Sequence, residues 1–189
     1  MNTKLTKITQ AVSNCQNCNL FKTRTFTVPG AGNPRAEIMF IGEGPGKNED
    51  LQGKPFVGAA GKYLDQLLSS INLNREDIFI TNIVKCRPPG NRDPFPIEIN
   101  TCSPYLKAQI DIIKPIIICT LGRHAMNFFL PDLKISRDHG QPKRFQGQVF
   151  LPLYHPAAGL YNPANRNAIE SDFKKIPLII EKIKQEQKP

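Results

Sequence analysis

The stretch IMFIGEGPGKNED at residues 38–50 decides how the rest of the chain is read. Its apolar part, residues 36–41, is too short for a helix and is bounded by turn residues, the pattern of a buried strand in a parallel sheet. It stops in a loop holding Gly42, Gly44 and Gly46, Pro45, and the carboxylates Glu43, Glu49 and Asp50. Open α/β sheets bind ligands at the carboxyl ends of their strands, so this loop is the first place to look for a site. Two phosphate-binding patterns fail here. GEGPGKN is one residue short of a Walker A spacing and has Asn48 where Ser or Thr would hold magnesium, and Lys47 occupies the third glycine position of a dinucleotide fingerprint. What remains is a close-approach backbone loop carrying acids.

Working outward, three more apolar runs behave like the first. Residues 77–84 (DIFITNIV), 115–121 (PIIICTL) and 148–153 each read as a strand. Between and around them lie helical patterns: residues 3–14, a segment with Tyr63, Leu64, Leu67, Leu68 and Ile71 at helical spacing, residues 97–113, a helix after Gly122 with Ala125 and Phe128, and a last helix over about 168–185 that Pro177 should kink or split. Residues 25–35 read as a Gly/Pro-rich loop, and Gln146-Gly147 as a hairpin turn. Strand and helix alternate, which predicts a three-layer α/β/α sandwich around a central four-stranded parallel sheet. With 189 residues the chain is expected to form one domain spanning 1–189. In that topology Glu43, Asn82, Gly122 and His155 fall at the carboxyl ends of different strands and share one rim.

The charge balance, 25 Lys and Arg against 16 Asp and Glu for a net +9, favours a polyanionic partner such as nucleic acid. Lys47, Lys85, Arg87, Arg92, Arg123 and Arg166 follow the same strands, so much of the positive charge gathers at the rim. No stretch is long and apolar enough to span a membrane and the N-terminus lacks a signal-peptide core, so a soluble, intracellular (cytoplasmic) protein is expected. The five cysteines then call for an explanation other than disulfides. Cys15 and Cys18 form a CxxC, Cys86 follows the second strand and Cys102 lies early in the next helix. Four thiolates fill a tetrahedral zinc site or hold an iron-sulfur cluster; their wide, uneven spacing is unlike a zinc ribbon and suits the larger group. Cys119, inside the third strand, reads as a packing residue.

Taken jointly, these motifs resemble the family 4 uracil-DNA glycosylases, the cluster-containing branch of their superfamily. The resemblance covers nearly the whole chain and rests on Cys15-x-x-Cys18 with Leu20 and Arg24, GEGPGKNED at 42–50, GKPFVGAAG at 53–61, TNIVKCRPPGNRDP at 81–94, Cys102, LGRHA at 121–125 and HPAAGLYNPANR at 155–166. It implies a 4Fe-4S cluster bound by Cys15, Cys18, Cys86 and Cys102, and hydrolysis of the N-glycosidic bond of uracil in single- or double-stranded DNA. It also implies base extrusion into a pocket. There Gly44 and its loop would line the site, Asn82 would read uracil O4 and N3–H, Phe56 would stack on the ring, and His155 would donate to O2 as negative charge grows. Glu43 is the first candidate, and Glu49 the second, for orienting water or stabilising the oxocarbenium-like sugar. Leu160 or Tyr161 is expected to wedge into the vacated stack on a segment that Gly159 loosens, with Lys85, Arg87, Arg92, Arg123 and Arg166 on phosphates. No lysine is placed for a Schiff base, so the expected enzyme is monofunctional and works as a monomer. His124 and His139 match no motif. The rival readings are a superfamily member acting on other deaminated bases and a non-catalytic, metal-stabilised DNA-binding module.

Overall fold

The computed structural model describes residues 3–186. Six strands, β1 (Ala31–Gly32), β2 (Ile38–Gly42), β3 (Phe79–Asn82), β4 (Ile117–Leu121), β5 (Lys143–Phe145) and β6 (Gln148–Leu153), form one sheet in the order β1-β3-β2-β4-β6-β5. The central four, β3-β2-β4-β6, are parallel as expected. The sheet as a whole is mixed, a correction to the all-parallel expectation. β1 and β5 add antiparallel edges against β3 and β6. β1 is two residues in a Gly/Pro-rich stretch and β5 is the polar arm of a hairpin, so neither carries the apolar run of a buried strand. Gln146 and Gly147, both with positive φ, make the turn between β5 and β6.

The helices are α1 (Thr3–Ser13), α2 (Lys47–Gln52), α3 (Ala59–Ser69), α4 (Pro96–Ile113), α5 (Arg123–Phe129), α6 (Ile135–Asp138), α7 (Pro156–Tyr161) and α8 (Pro163–Glu186). β2 alternates its buried side chains between two layers. Ile38 and Phe40 join Leu64, Leu67, Leu68, Phe173 and Ile176 of α3 and α8 on one face. Met39 and Ile41 join Leu106 and Ile113 of α4 and Ala125 and Met126 of α5 on the other. A strand buried on both faces has no polar positions to alternate, which is why these strands read as continuous apolar runs. Fully burying each such aliphatic or aromatic side chain contributes roughly 1.5–3 kcal/mol. The Phe40 and Phe173 rings stack at 5.8 Å across the first layer.

Two helical expectations need correction. α8 is one helix that starts at Pro163 and continues past Pro177 without splitting; proline suits the first turn, where the N–H has no intrahelical acceptor. Gly159 lies inside α7 and is buried rather than loosening a loop: a Cβ there would stand 2.8 Å from Tyr63 Cε1 and 3.0 Å from Ile169 Cδ1. Glycine is what lets α7 close on α3 and α8. No helix among the described residues is long and apolar enough to cross a membrane.

The connection from β2 runs to β3 on one side and that from β4 to β6 on the other. A crevice opens where connections diverge, between the carboxyl ends of β2 and β4.

Candidate active site

That crevice is a cleft of about 400 Å³ lined by Glu43, Gly44, Glu49, Phe56, Asn82 and His155 among others, within the usual range of small-molecule sites. All the residues read from sequence as substrate-binding or catalytic therefore line one cavity.

Asn82 ends β3, paired in register with Gly42 of β2. It is almost fully buried and its Oδ1 has no hydrogen-bond partner. An unpaired buried carbonyl costs about 1–3 kcal/mol, and such cost persists where a ligand supplies the missing donor. Gly42 makes room for it: a Cβ there would run into Asn82 Oδ1 and the Phe56 ring. Phe56 is held with φ 52°, in the left-handed region. Its carbonyl and that of Pro55 accept from Arg75, whose Nη1 reaches Pro55 O at 3.0 Å, and Arg75 is itself paired to Asp65 at 2.6 Å. The ring stacks 5.6 Å from the His155 imidazole with 27° between planes.

His155 follows β6 and caps α7. Its Nδ1 accepts from the Ala157 N–H at 3.2 Å. Burial pushes its pKa down to about 4, against a smaller opposing effect of Glu49. The ring is thus neutral near pH 7, and with Nδ1 accepting, the proton sits on Nε2. Glu49, in the first turn of α2, accepts through Oε1 from the Val57 and Gly58 N–H groups at 2.8 and 2.9 Å. It ties α2 to the loop carrying Phe56.

Glu43 sits beside two residues, His124 and Asp93, that sequence reading left without a role. His124 Nε2 lies 3.9 Å from Glu43 Oε2 and 3.2 Å from Asp93 Oδ2, while Arg123 reaches Asp93 at 3.6 Å and donates from Nε to His124 Nε2 at 3.0 Å. Burial raises the Glu43 pKa, with His124 opposing and Asp93 assisting. The signal for His124 was its place two residues past Gly122 on the shared rim, within LGRHA at 121–125. Glu43, Asp93 and His124 offer ligand atoms within 4.8 Å of one another, but the arginine among them makes an ion-pair network rather than a cation site.

The expected phosphate contacts divide. Lys85 is buried, a correction: its Nζ donates to Thr81 Oγ1 (2.6 Å), Asn82 O (2.7 Å) and Gln109 Oε1 (2.8 Å), and burial lowers its pKa to about 7. It cannot reach DNA. Gln109 passes the chain of bonds to Pro29 O at 2.7 Å. Arg92 is also committed, its Nη1 and Nη2 bound to both Glu98 oxygens at 2.9 and 2.7 Å, so it is corrected from phosphate ligand to structural clamp. Arg87 keeps its guanidinium nitrogens beyond an Nε bond to Asn91. Arg123 is exposed, and Arg166 is exposed with Nε on Glu170. Leu160 and Tyr161 project from the end of α7, Tyr161 at 88% exposure.

A second pocket lies behind β3, lined by Cys15, Cys18, Cys86 and Cys102 with Leu20 and Tyr105. All four thiols share that pocket, while Cys119 is in the core. Arg24 Nη1 donates to Cys86 Sγ at 3.1 Å and the Lys85 N–H to Cys102 Sγ at 3.3 Å. Burial raises the Cys86 thiol, and Cys102 to about 11; a hydrogen bond to Cys15 holds Tyr105 up at about 12. Sulfurs around one zinc ion would stand about 3.8 Å apart. Four thiols lining one pocket, two of them accepting from N–H donors, are a donor set that suits an iron-sulfur cluster as well as zinc.

The model of the uracil DNA glycosylase superfamily matches residues 29–176. The chain is 50% identical to a type-4 uracil-DNA glycosylase of Sulfurisphaera tokodaii over 184 residues, 91% of this chain and 83% of that protein. It is 50% identical to one of Saccharolobus solfataricus, over 89% and 83% of the two chains. It is 51% identical to one of Archaeoglobus fulgidus, over 91% of each.

Proposed function

The chain belongs to the uracil DNA glycosylase superfamily, and from that premise we propose that its cleft receives a uracil extruded from DNA and hydrolyses the N-glycosidic bond, leaving an abasic site. The observation that carries this reading is the unpaired, buried Asn82 Oδ1 in the cleft that Phe56 also lines. Uracil brings the missing donor, N3–H, and its O4 accepts from the Asn82 amide. Cytosine presents an acceptor at N3 and a donor at N4, so both contacts would be mismatched.

Bond cleavage puts negative charge on the departing base and positive character on the sugar. His155 Nε2–H donates to O2 as that charge grows, and a neutral donor avoids handing a full proton to a base that leaves as an anion. Glu43, facing the cleft, orients the attacking water and stabilises the sugar cation. Glu49 acts one step back: with Oε1 spent on two backbone N–H groups, it fixes the Phe56 loop.

The four pocket cysteines are the ligands we assign to a 4Fe-4S cluster, which would supply a cross-link between the segment after α1, the loop after β3 and α4, and no redox step. Single- and double-stranded uracil-containing DNA are both substrates, and one copy of the chain, a single domain, suffices. The test is labelled DNA with one uracil, scored for alkali-labile sites and covalent adducts. Free uracil with alkali-labile sites and no adduct is expected; retention of DNA without base release would leave a binding module instead.

A further inference from the structure

We infer that Arg92 and Phe95 form a stacking platform for the nucleobase adjacent to the flipped one, a subsite that rests on the uracil-excision reading. Arg92 lines the cleft together with Pro88, Asn91 and Pro94. Its guanidinium lies over the Phe95 ring, Cζ 3.7 Å from the centroid. Three of the five in-plane donors are engaged: Nη1 and Nη2 go to Glu98, and Nη1 also to Asp93 O at 2.9 Å. A guanidinium already paired through both Nη atoms with a carboxylate is a poor ligand for a phosphate. One flat face lies on Phe95 and the other remains, and a plane of this kind backed by an aromatic ring is what an unstacked base rests on.

The platform is rigid. Glu98, almost fully buried, also accepts the Phe95 N–H at 2.7 Å, fixing the start of α4, and the Arg92 hydrogen bonds lower its pKa. One carboxylate thus holds both members of the stack. Phe95 is nevertheless 54% exposed and the neighbouring Ile97 68%. An apolar ring left in water, against a cation, beside a cleft in a protein of net charge +9, fits a partner that is itself aromatic and anionic: a nucleic-acid strand.

Position supports the same occupant. The platform follows β3, while Leu160 and Tyr161 follow β6, three strand spacings away in the sheet, or roughly 14 Å at about 4.8 Å each. The two apolar grips therefore flank the cleft from opposite edges, as a strand running across it would require.

The experiment measures dissociation constants by fluorescence anisotropy, and uracil release in parallel, on single-stranded oligonucleotides with one uracil. The residue 5′ or 3′ to it is either a normal nucleotide or a base-less tetrahydrofuran. The wild-type protein is expected to bind about fivefold or more weakly when one of the two neighbours lacks its base. Phe95→Leu should weaken binding to the intact oligonucleotide by a similar factor and show no further loss on removing that base, while Phe95→Tyr should keep the wild-type pattern. Equal losses in wild type and Phe95→Leu, or no loss at either neighbour, would overturn the platform. Absence of uracil release with the binding pattern intact would instead overturn the excision reading.

Discussion

Gly42 and Asn82 are paired across two strands, and Gly42 cannot gain a side chain without disturbing Asn82. Because a Cβ on Gly42 would collide with Asn82 Oδ1 and the Phe56 ring, Gly42→Ala should reduce uracil release by about a hundredfold while moving the melting temperature far less, read by single-turnover kinetics and calorimetry. His155 gives a pH expectation. Its folded pKa of about 4 lies below the ordinary 6.5, so between those values the unfolded chain binds more protons. The stabilising contribution of the neutral ring is present above about pH 6.5 and is lost as pH falls toward 4. Wild type should lose stability over that window more steeply than His155→Asn, and release should show no His155 inflection near 6.5. Asn82 was conspicuous as a polar residue at the end of an apolar run and His155 as a residue just past a strand, while their roles came from the family resemblance. Arg75 and His124 were not, since their roles depend on partners distant in sequence: Arg75 serves Phe56 and His124 serves Glu43.

At the scale of elements, the end of β3 is held from below by Lys85, Gln109 and Thr81. Lys85→Met would leave Gln109 Oε1 and Asn82 O without that donor, costing about 1–3 kcal/mol for each buried acceptor left unpaired. Denaturant unfolding should show the loss, with weaker uracil release because Asn82 shifts with its strand. Sequence placed Lys85 on DNA because it follows a strand whose end faces the rim; only packing decides which way a side chain at such a bend points. The four parallel strands were legible as continuous apolar runs and the long helices from hydrophobic period. α2, with the sequence KNEDLQ, and α7, whose small residues carry no clear stripe, were not.

Across the whole molecule, the cysteine pocket joins three separate parts of the chain. Cys15 and Cys18 follow α1, Cys86 follows β3 and Cys102 lies in α4. Replacing Cys102 with Ser, or stripping iron with a chelator under oxidation, should abolish broad visible absorbance and lower the melting temperature by more than 5 °C. Uracil release should fail only once the loop of Arg87 and Arg92 loosens, because no step of the proposed hydrolysis needs an electron. The four candidate ligands were legible in the sequence, as was Cys119 as a packing residue; that all four thiols line one pocket depended on topology.

The cleft is proposed to read a single extruded base through Asn82. The most direct measurement is single-turnover release of base from matched oligonucleotides carrying deoxyuridine or deoxycytidine, with wild type and Asn82→Ala. Wild type is expected to release uracil with no detectable cytosine, and Asn82→Ala to lose uracil release by about a hundredfold or more while keeping its fold. Unchanged uracil release by Asn82→Ala would contradict the account.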